Sequence, residues 1–275
     1  MTEQLTDPLD EATYAELQEI VARYPQPQSA LLPMLHLVQS VEGRVTARGI
    51  EACAEILGIS AAEVSGVATF YTMYKRRPVG DYHVGVCTNT LCAVMGGDAI
   101  FERLKDHLEI GNDETTPDDG GKTITLEHLE CNAACDYAPV MMVNWEFMDN
   151  MDPASATQLV DDLREGKPVH STRGPRICTW RQAERVLAGF PDDLADQGPA
   201  AGPATLAGLA IAREQGWTAP AAPGAANPDG AAGDGAVPTD TVRESAYSGR
   251  SDAETKLDQS PVDVRGGKTD GNDAK

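Results

Sequence analysis

Six cysteines carry the chemistry this sequence can offer, and four of them fall into two close pairs. Cys87-Thr-Asn-Thr-Leu-Cys92 leaves four residues between its thiols, and Cys131-Asn-Ala-Ala-Cys135 leaves three. Two pairs of thiolates, each on one loop, suit a rhombic two-iron core in which each iron takes two terminal thiolates and shares two sulfides. The residues between them are small, so loop N–H groups can approach the sulfurs and offset the charge of an anionic cluster. A structural four-cysteine zinc site would use the same atoms, although such sites mostly have two-residue gaps. Unligated thiols are the third reading, and spacing by itself leaves all three open. A thiol–disulfide enzyme needs Cys-x-x-Cys, which the chain lacks.

The other reactive side chains read as structural. Cys53 falls on an apolar helical stripe with Ile50 and Ile56–Leu57, as a buried thiol acting as a small hydrophobe would. Cys178 has no near cysteine partner and sits in an expected loop. His128 alternates in phase with Ile124 and Leu126 and is expected to pack, while His83 and His107 carry no signal. Gly96 and Gly97 serve the turn into a helix. A nucleotide-phosphate loop would need Gly-x-Gly-x-x-Gly, and none is present.

The elements that must position these cysteines form an α+β pattern. Residues 10–75 read as a bundle of three or four helices. Tyr14, Leu17, Ile20 and Val21 recur at helical spacing before Tyr24-Pro25, and Leu31, Leu35 and Val38 do so before Gly43. A third helix is expected over Thr46–Leu57, and Ser60-Ala-Ala-Glu63 fits a capping box opening a fourth. Residues 80–180 read as β-α-β-β-α: a strand from Tyr82 into Cys87, a helix from Gly96 to Leu108, a polar loop over 111–122, and a strand from Thr123 toward Cys131. A strand over Pro139–Asn144 and a helix opened by Asp152-Pro153 follow. Residues 190–275 are rich in Ala, Gly and Pro and are expected to be disordered, with a transient helix over Thr205–Gln215, because they cannot bury enough apolar surface to offset ordering.

A formal net charge of −21 argues against nucleic acid and anionic lipid as partners and leaves a basic protein surface as a suitable one. The start of the chain, MTEQLTDPLDEATYAEL, has neither the charged nor the apolar region of a secretory signal. No apolar run approaches the roughly 20 residues of a membrane span. The expectation is a cytoplasmic protein, in which cysteines serve as metal ligands or buried thiols before they serve as bridges.

Three segments together resemble one family: Gly66-Val-Ala-Thr-Phe-Tyr-Thr-Met-Tyr74, Val86-Cys87-Thr-Asn-Thr-Leu-Cys92, and Glu130-Cys131-Asn-Ala-Ala-Cys135-Asp-Tyr-Ala-Pro139. They are similar to the NuoE family, the thioredoxin-like [2Fe–2S] component of NADH:quinone oxidoreductase (respiratory complex I), over roughly residues 10 to 180. The resemblance implies a thioredoxin-like ferredoxin domain behind a helical bundle and one [2Fe–2S] cluster on Cys87, Cys92, Cys131 and Cys135. It further implies a place in the peripheral arm on the cytoplasmic side of the membrane, and a NuoF-type partner carrying FMN, the NADH site and a [4Fe–4S] cluster. No catalytic base or nucleophile falls to this chain. The same motifs occur in soluble NAD-linked hydrogenases and formate dehydrogenases, so those complexes are the alternative setting. The aromatic run Phe70, Tyr71 and Tyr74 either helps hold the partner or cements the bundle to the cluster domain.

Overall fold

The structure is a computed structural model that describes residues 9–194, 197–199 and 201–218. Its contacts divide the chain into a unit Met1–Ile211, which holds the elements that position the cysteines, and a unit Ala212–Lys275.

Local signals set the helices of the bundle. Helix α1 (Glu11–Ala22) opens on Asp10, whose carboxylate accepts the Thr13 N–H at 2.8 Å. Helix α2 (Leu31–Glu42) stops at Gly43, which takes the left-handed conformation that a side chain would resist. Helix α3 (Ala47–Leu57) is capped by Thr46 and ended by Gly58, and α4 (Ala61–Phe70) carries the expected Ser60–Glu63 capping box. Their apolar stripes meet in one core, where Leu17, Ile20, Met34, Leu35, Val38 and Cys53 are fully buried.

The second core belongs to a five-stranded mixed sheet of order β2-β3-β1-β4-β5. Strand β1 (Tyr82–Cys87) lies at its centre, parallel to β3 (Ile124–Leu129) and antiparallel to β4 (Met141–Val143). All six residues of β1 are buried, as a strand covered on both faces requires. Val84, Val86, Ile124 and Leu126 pack with Ile100 and Leu104 of α6 (Gly97–Leu108) and with Val160 and Leu163 of α7 (Pro153–Arg164). Asp152 caps α7 as its sequence predicts, accepting two backbone N–H groups at 2.8 Å. Two strands are additional to the sequence reading. The expected loop 111–122 contains β2 (Glu114–Thr115), and β5 (Glu146–Met148) forms a hairpin with β4 across Asn144 and Trp145, both at positive φ.

Beyond the cysteine-bearing domain the chain returns to the bundle. Helix α8 (Trp180–Leu187), which the sequence reading does not include, opens on a Thr179–Gln182 capping box and packs against α2. Its buried stripe includes a carboxylate: Glu184 has no exposed surface and bonds His36 Nδ1 at 2.7 Å, Gln39 Nε2 at 2.7 Å and Trp145 Nε1 at 3.2 Å. The capping box and the spacing of Trp180 and Ala183 mark the helix locally, but they do not show that it docks through a buried acid. Within the segment 190–275, expected to be disordered, the described part includes α9 (Pro203–Glu214); residues beyond 218 lie outside the described residues. Among the described residues no single helix is long and apolar enough to cross a membrane.

Candidate metal centre

Parallel pairing brings the two cysteine pairs to the same end of the two neighbouring strands β1 and β3. Cys87 is the last residue of β1 and is in register with Leu129, the last of β3, so Cys131 follows two residues later at the same strand ends. The Cys87 N–H donates to the Val140 carbonyl at 3.1 Å and the Thr88 N–H to the Leu129 carbonyl at 3.3 Å. Asn89 on the first loop donates to the Glu130 carboxylate on the second, tying the two together. Cys92 lies in a single-turn helix, α5 (Thr90–Val94), directly before α6. Gly97 makes that succession possible. A Cβ there would meet the Cys87 carbonyl oxygen at 2.4 Å and the Cys92 carbonyl oxygen at 2.9 Å. The N-terminal turn of α6, with its partial positive charge, is therefore pressed onto the cysteine loop.

The thiols are close. Cys131 Sγ and Cys135 Sγ stand 3.5 Å apart, far beyond a disulfide bond of about 2.05 Å. Two thiolates on one tetrahedral metal, with bonds of about 2.3 Å, stand roughly 3.7 Å apart. The Ala133 N–H points at Cys131 Sγ at 3.4 Å, with Ala133 at φ +56° to turn the loop. Ala134, between the second pair, packs in one cluster with Cys87 and Cys92, so the two cysteine loops meet. Ala134, Ala138, Val140 and Phe147 form a small apolar cup around Cys87 and Cys92. Among the described residues no three His, Cys, Asp or Glu side chains converge on a single ion as they stand, so the thiols form pairs rather than one four-ligand point.

Burial separates the pairs. Cys87 and Cys92 are buried and Cys131 and Cys135 exposed. Burial, reinforced by the adjacent thiols, pushes Cys92 up to about 11, against the Val140 backbone hydrogen bond that lowers it. The hydrogen bond with Cys131, together with that thiol's proximity, raises Cys135.

The remaining candidates separate clearly. Cys53 is fully buried in the bundle and its thiol is pushed up to about 12 by desolvation, as an inert core thiol is. Cys178 is half-buried just ahead of α8, and burial raises it too. His128 is exposed rather than packed: the alternation of β3 continues to it, but its ring meets Phe101 at 6.0 Å and stays open to solvent. His83, which gives no signal in the sequence, is buried between Trp145 and Trp180 and bonds Glu127 at 2.7 Å. The aromatic run divides as well. Tyr74 is buried, with its hydroxyl donating to the Leu32 carbonyl, whereas Phe70 is 78% exposed. Sequence reasoning missed Arg173, which forks onto Asp149 at 2.8–3.1 Å and reaches Asp136 at 3.3 Å beside Cys135. Pairing of charges 24 and 37 residues apart leaves no local signature.

The family pattern described as thioredoxin-like [2Fe-2S] ferredoxin matches residues 17–164. A component of the NADH-quinone oxidoreductase of Mycobacterium tuberculosis is 59% identical over 211 residues, covering 76% of this chain and 82% of the relative. A component of the NADH-quinone oxidoreductase of Thermus thermophilus is 34% identical over 165 residues, covering 59% of this chain and 90% of the relative. Among solved structures, an NAD+-reducing [NiFe]-hydrogenase in the H2-reduced state matches at TM-score 0.43 and 20% identity, over 48% of this chain and 22% of that one.

Proposed function

Since the chain belongs to the NuoE family of thioredoxin-like [2Fe–2S] ferredoxins, we propose that Cys87, Cys92, Cys131 and Cys135 are the four ligands of its one cluster. The chain is an electron-transfer subunit of NADH:quinone oxidoreductase. The bound cluster supplies one-electron chemistry; the chain supplies its holder. The observation that carries the assignment is the meeting of two thiol pairs at the same end of β1 and β3, one of them at 3.5 Å. Cys87 and Cys92 come from the buried side, and the exposed Cys131 and Cys135 close the opposite side. Backbone N–H groups aimed at sulfur, such as that of Ala133, stabilise the anionic state that a reduced cluster adopts.

The partner is a NuoF-type protein bearing FMN and the NADH site, within a peripheral arm on the cytoplasmic side. Helix α5 supports a docking face there. Beside Cys92 it and the residue after it expose Leu91, Val94 at 81% and Met95 at 53%, an apolar surface of the sort that partner contacts cover. The chain itself has no nucleotide loop, so NADH reaches its electron carrier through that partner.

Purified without air, the protein should contain about two irons and two acid-labile sulfides per chain. Alanine at Cys87, Cys92, Cys131 or Cys135 should empty or weaken the site, and Cys53→Ala and Cys178→Ala should leave it filled. One zinc with no sulfide, or loss of iron on Cys178→Ala, would sink the assignment.

A further inference from the structure

The two residues that follow Cys135 are gripped from both sides. On one side the Arg173 guanidinium reaches Asp136 at 3.3 Å and lies over Tyr137 and Phe147, 5.1 and 4.9 Å from the ring centres. On the other side the Ala204 N–H donates to the Tyr137 hydroxyl at 3.2 Å, and the Thr205 hydroxyl donates to the Asp136 carboxylate. Gly202 sits so near that an added Cβ would lie 2.2 Å from the Tyr137 hydroxyl oxygen. Residues 202–205 lie outside the stretch that the family pattern matches, residues 17–164.

We propose that Gly202–Thr205 is a positioning strap that holds the Cys131–Cys135 loop closed. The need for it follows from the loop. Its thiols are the exposed pair, its backbone is irregular, and Asp136 and Tyr137 form a short turn of 3-10 helix with Cys135 that lacks a side-chain cap. Arg173 fixes one flank of that turn to Asp149. The strap fixes the other, with one bond to the carboxylate and one to the phenol. Each opening of the turn exposes the outer sulfurs to water and to competing ligands, so the strap lowers the rate at which that pair is lost. The effect on the cluster rests on the ligand assignment above, whereas the effect on the thiols does not.

The test uses the full-length chain with Thr205→Ala, Thr205→Ser and Gly202→Val. In iron-free protein the alkylation rate of each cysteine by iodoacetamide is followed by mass spectrometry; in cluster-loaded protein, iron transfer to a chelator is followed by colour. Losing one such hydrogen bond should raise opening about fivefold. Thr205→Ala and Gly202→Val should therefore speed alkylation of Cys131 and Cys135 by about that factor, with Cys53 and Cys178 unchanged and Thr205→Ser restoring the original rate. Iron transfer should accelerate in parallel. If the iron-free rates at Cys131 and Cys135 match the parent in both disruptive variants, the strap is refuted. If the parent takes up no cluster, the ligand assignment fails while the alkylation rates still decide the strap.

Discussion

At the scale of single residues, the distinction that matters is between thiols that face one another and thiols that do not. Spacing alone separates Cys87, Cys92, Cys131 and Cys135 from Cys53 and Cys178, because loop-borne pairs are visible in the order of residues. It could not reveal which pair is outermost, or that Gly97 is where a helix end meets the Cys87 carbonyl. That contact supports a prediction. Gly97→Val should leave the bundle folded but lower iron content per chain, since the added atoms must displace the backbone carrying both Cys87 and Cys92. Full iron content in that variant would contradict the packing argument. Cys53→Ala should behave in the opposite way, retaining iron while losing about 1–2 kcal/mol of stability to a small core cavity. His83 and His128 show the limit of local reading. Both lie on strands, yet Trp145 and Trp180 from a distant segment cover His83 and leave His128 exposed, so position on a strand does not tell whether a face is covered.

At the scale of elements, the capped helices and the central strand were legible because their signals are local: Asp10, Ser60 with Glu63, and Asp152 with Pro153. Helix α8 carries local signals too, in its Thr179–Gln182 capping box, but its docking through Glu184 to polar partners on α2 and the β4–β5 turn was not legible. Glu184→Ala should cost about 3 kcal/mol in urea unfolding, leaving buried donors without an acceptor. A loss under about 0.5 kcal/mol, the ordinary range of a surface change, would remove α8 from the account. A second polar network joins β1 and β3 to the segment after α4. Burial would raise the Glu127 carboxyl, but hydrogen bonds from His83 and Lys75 outweigh it and hold it below its ordinary value of 4.5. The folded chain thus binds that proton less readily than the unfolded chain. The stabilisation is complete above the ordinary carboxylate range and is lost as pH falls through the lowered value. Glu127→Gln should flatten the acid limb of the stability curve measured by thermal unfolding; an unchanged slope would show that the acid limb originates elsewhere.

At the scale of the whole molecule, the chain is an electron-transfer subunit of NADH:quinone oxidoreductase that holds one [2Fe–2S] cluster. Its fold class and bundle-then-sheet order could be read from periodicity, and its family from three segments. The return of the chain to the bundle could not, because it depends on long-range pairing. The exposed α5 face gives a prediction about assembly: Val94→Asp should leave iron content intact and weaken copurification with the flavin-bearing partner by tenfold or more, about the cost of burying an unpaired charge. Undiminished copurification would move the docking face elsewhere. NADH alone should leave the isolated chain oxidised. The most direct test of the central claim is the number of electrons the intact chain accepts in an anaerobic dithionite titration monitored by EPR. One [2Fe–2S] cluster predicts about one electron and one spin-half signal per chain. Uptake of two electrons without a signal, as a disulfide would give, or no uptake at all, as zinc would give, would contradict it.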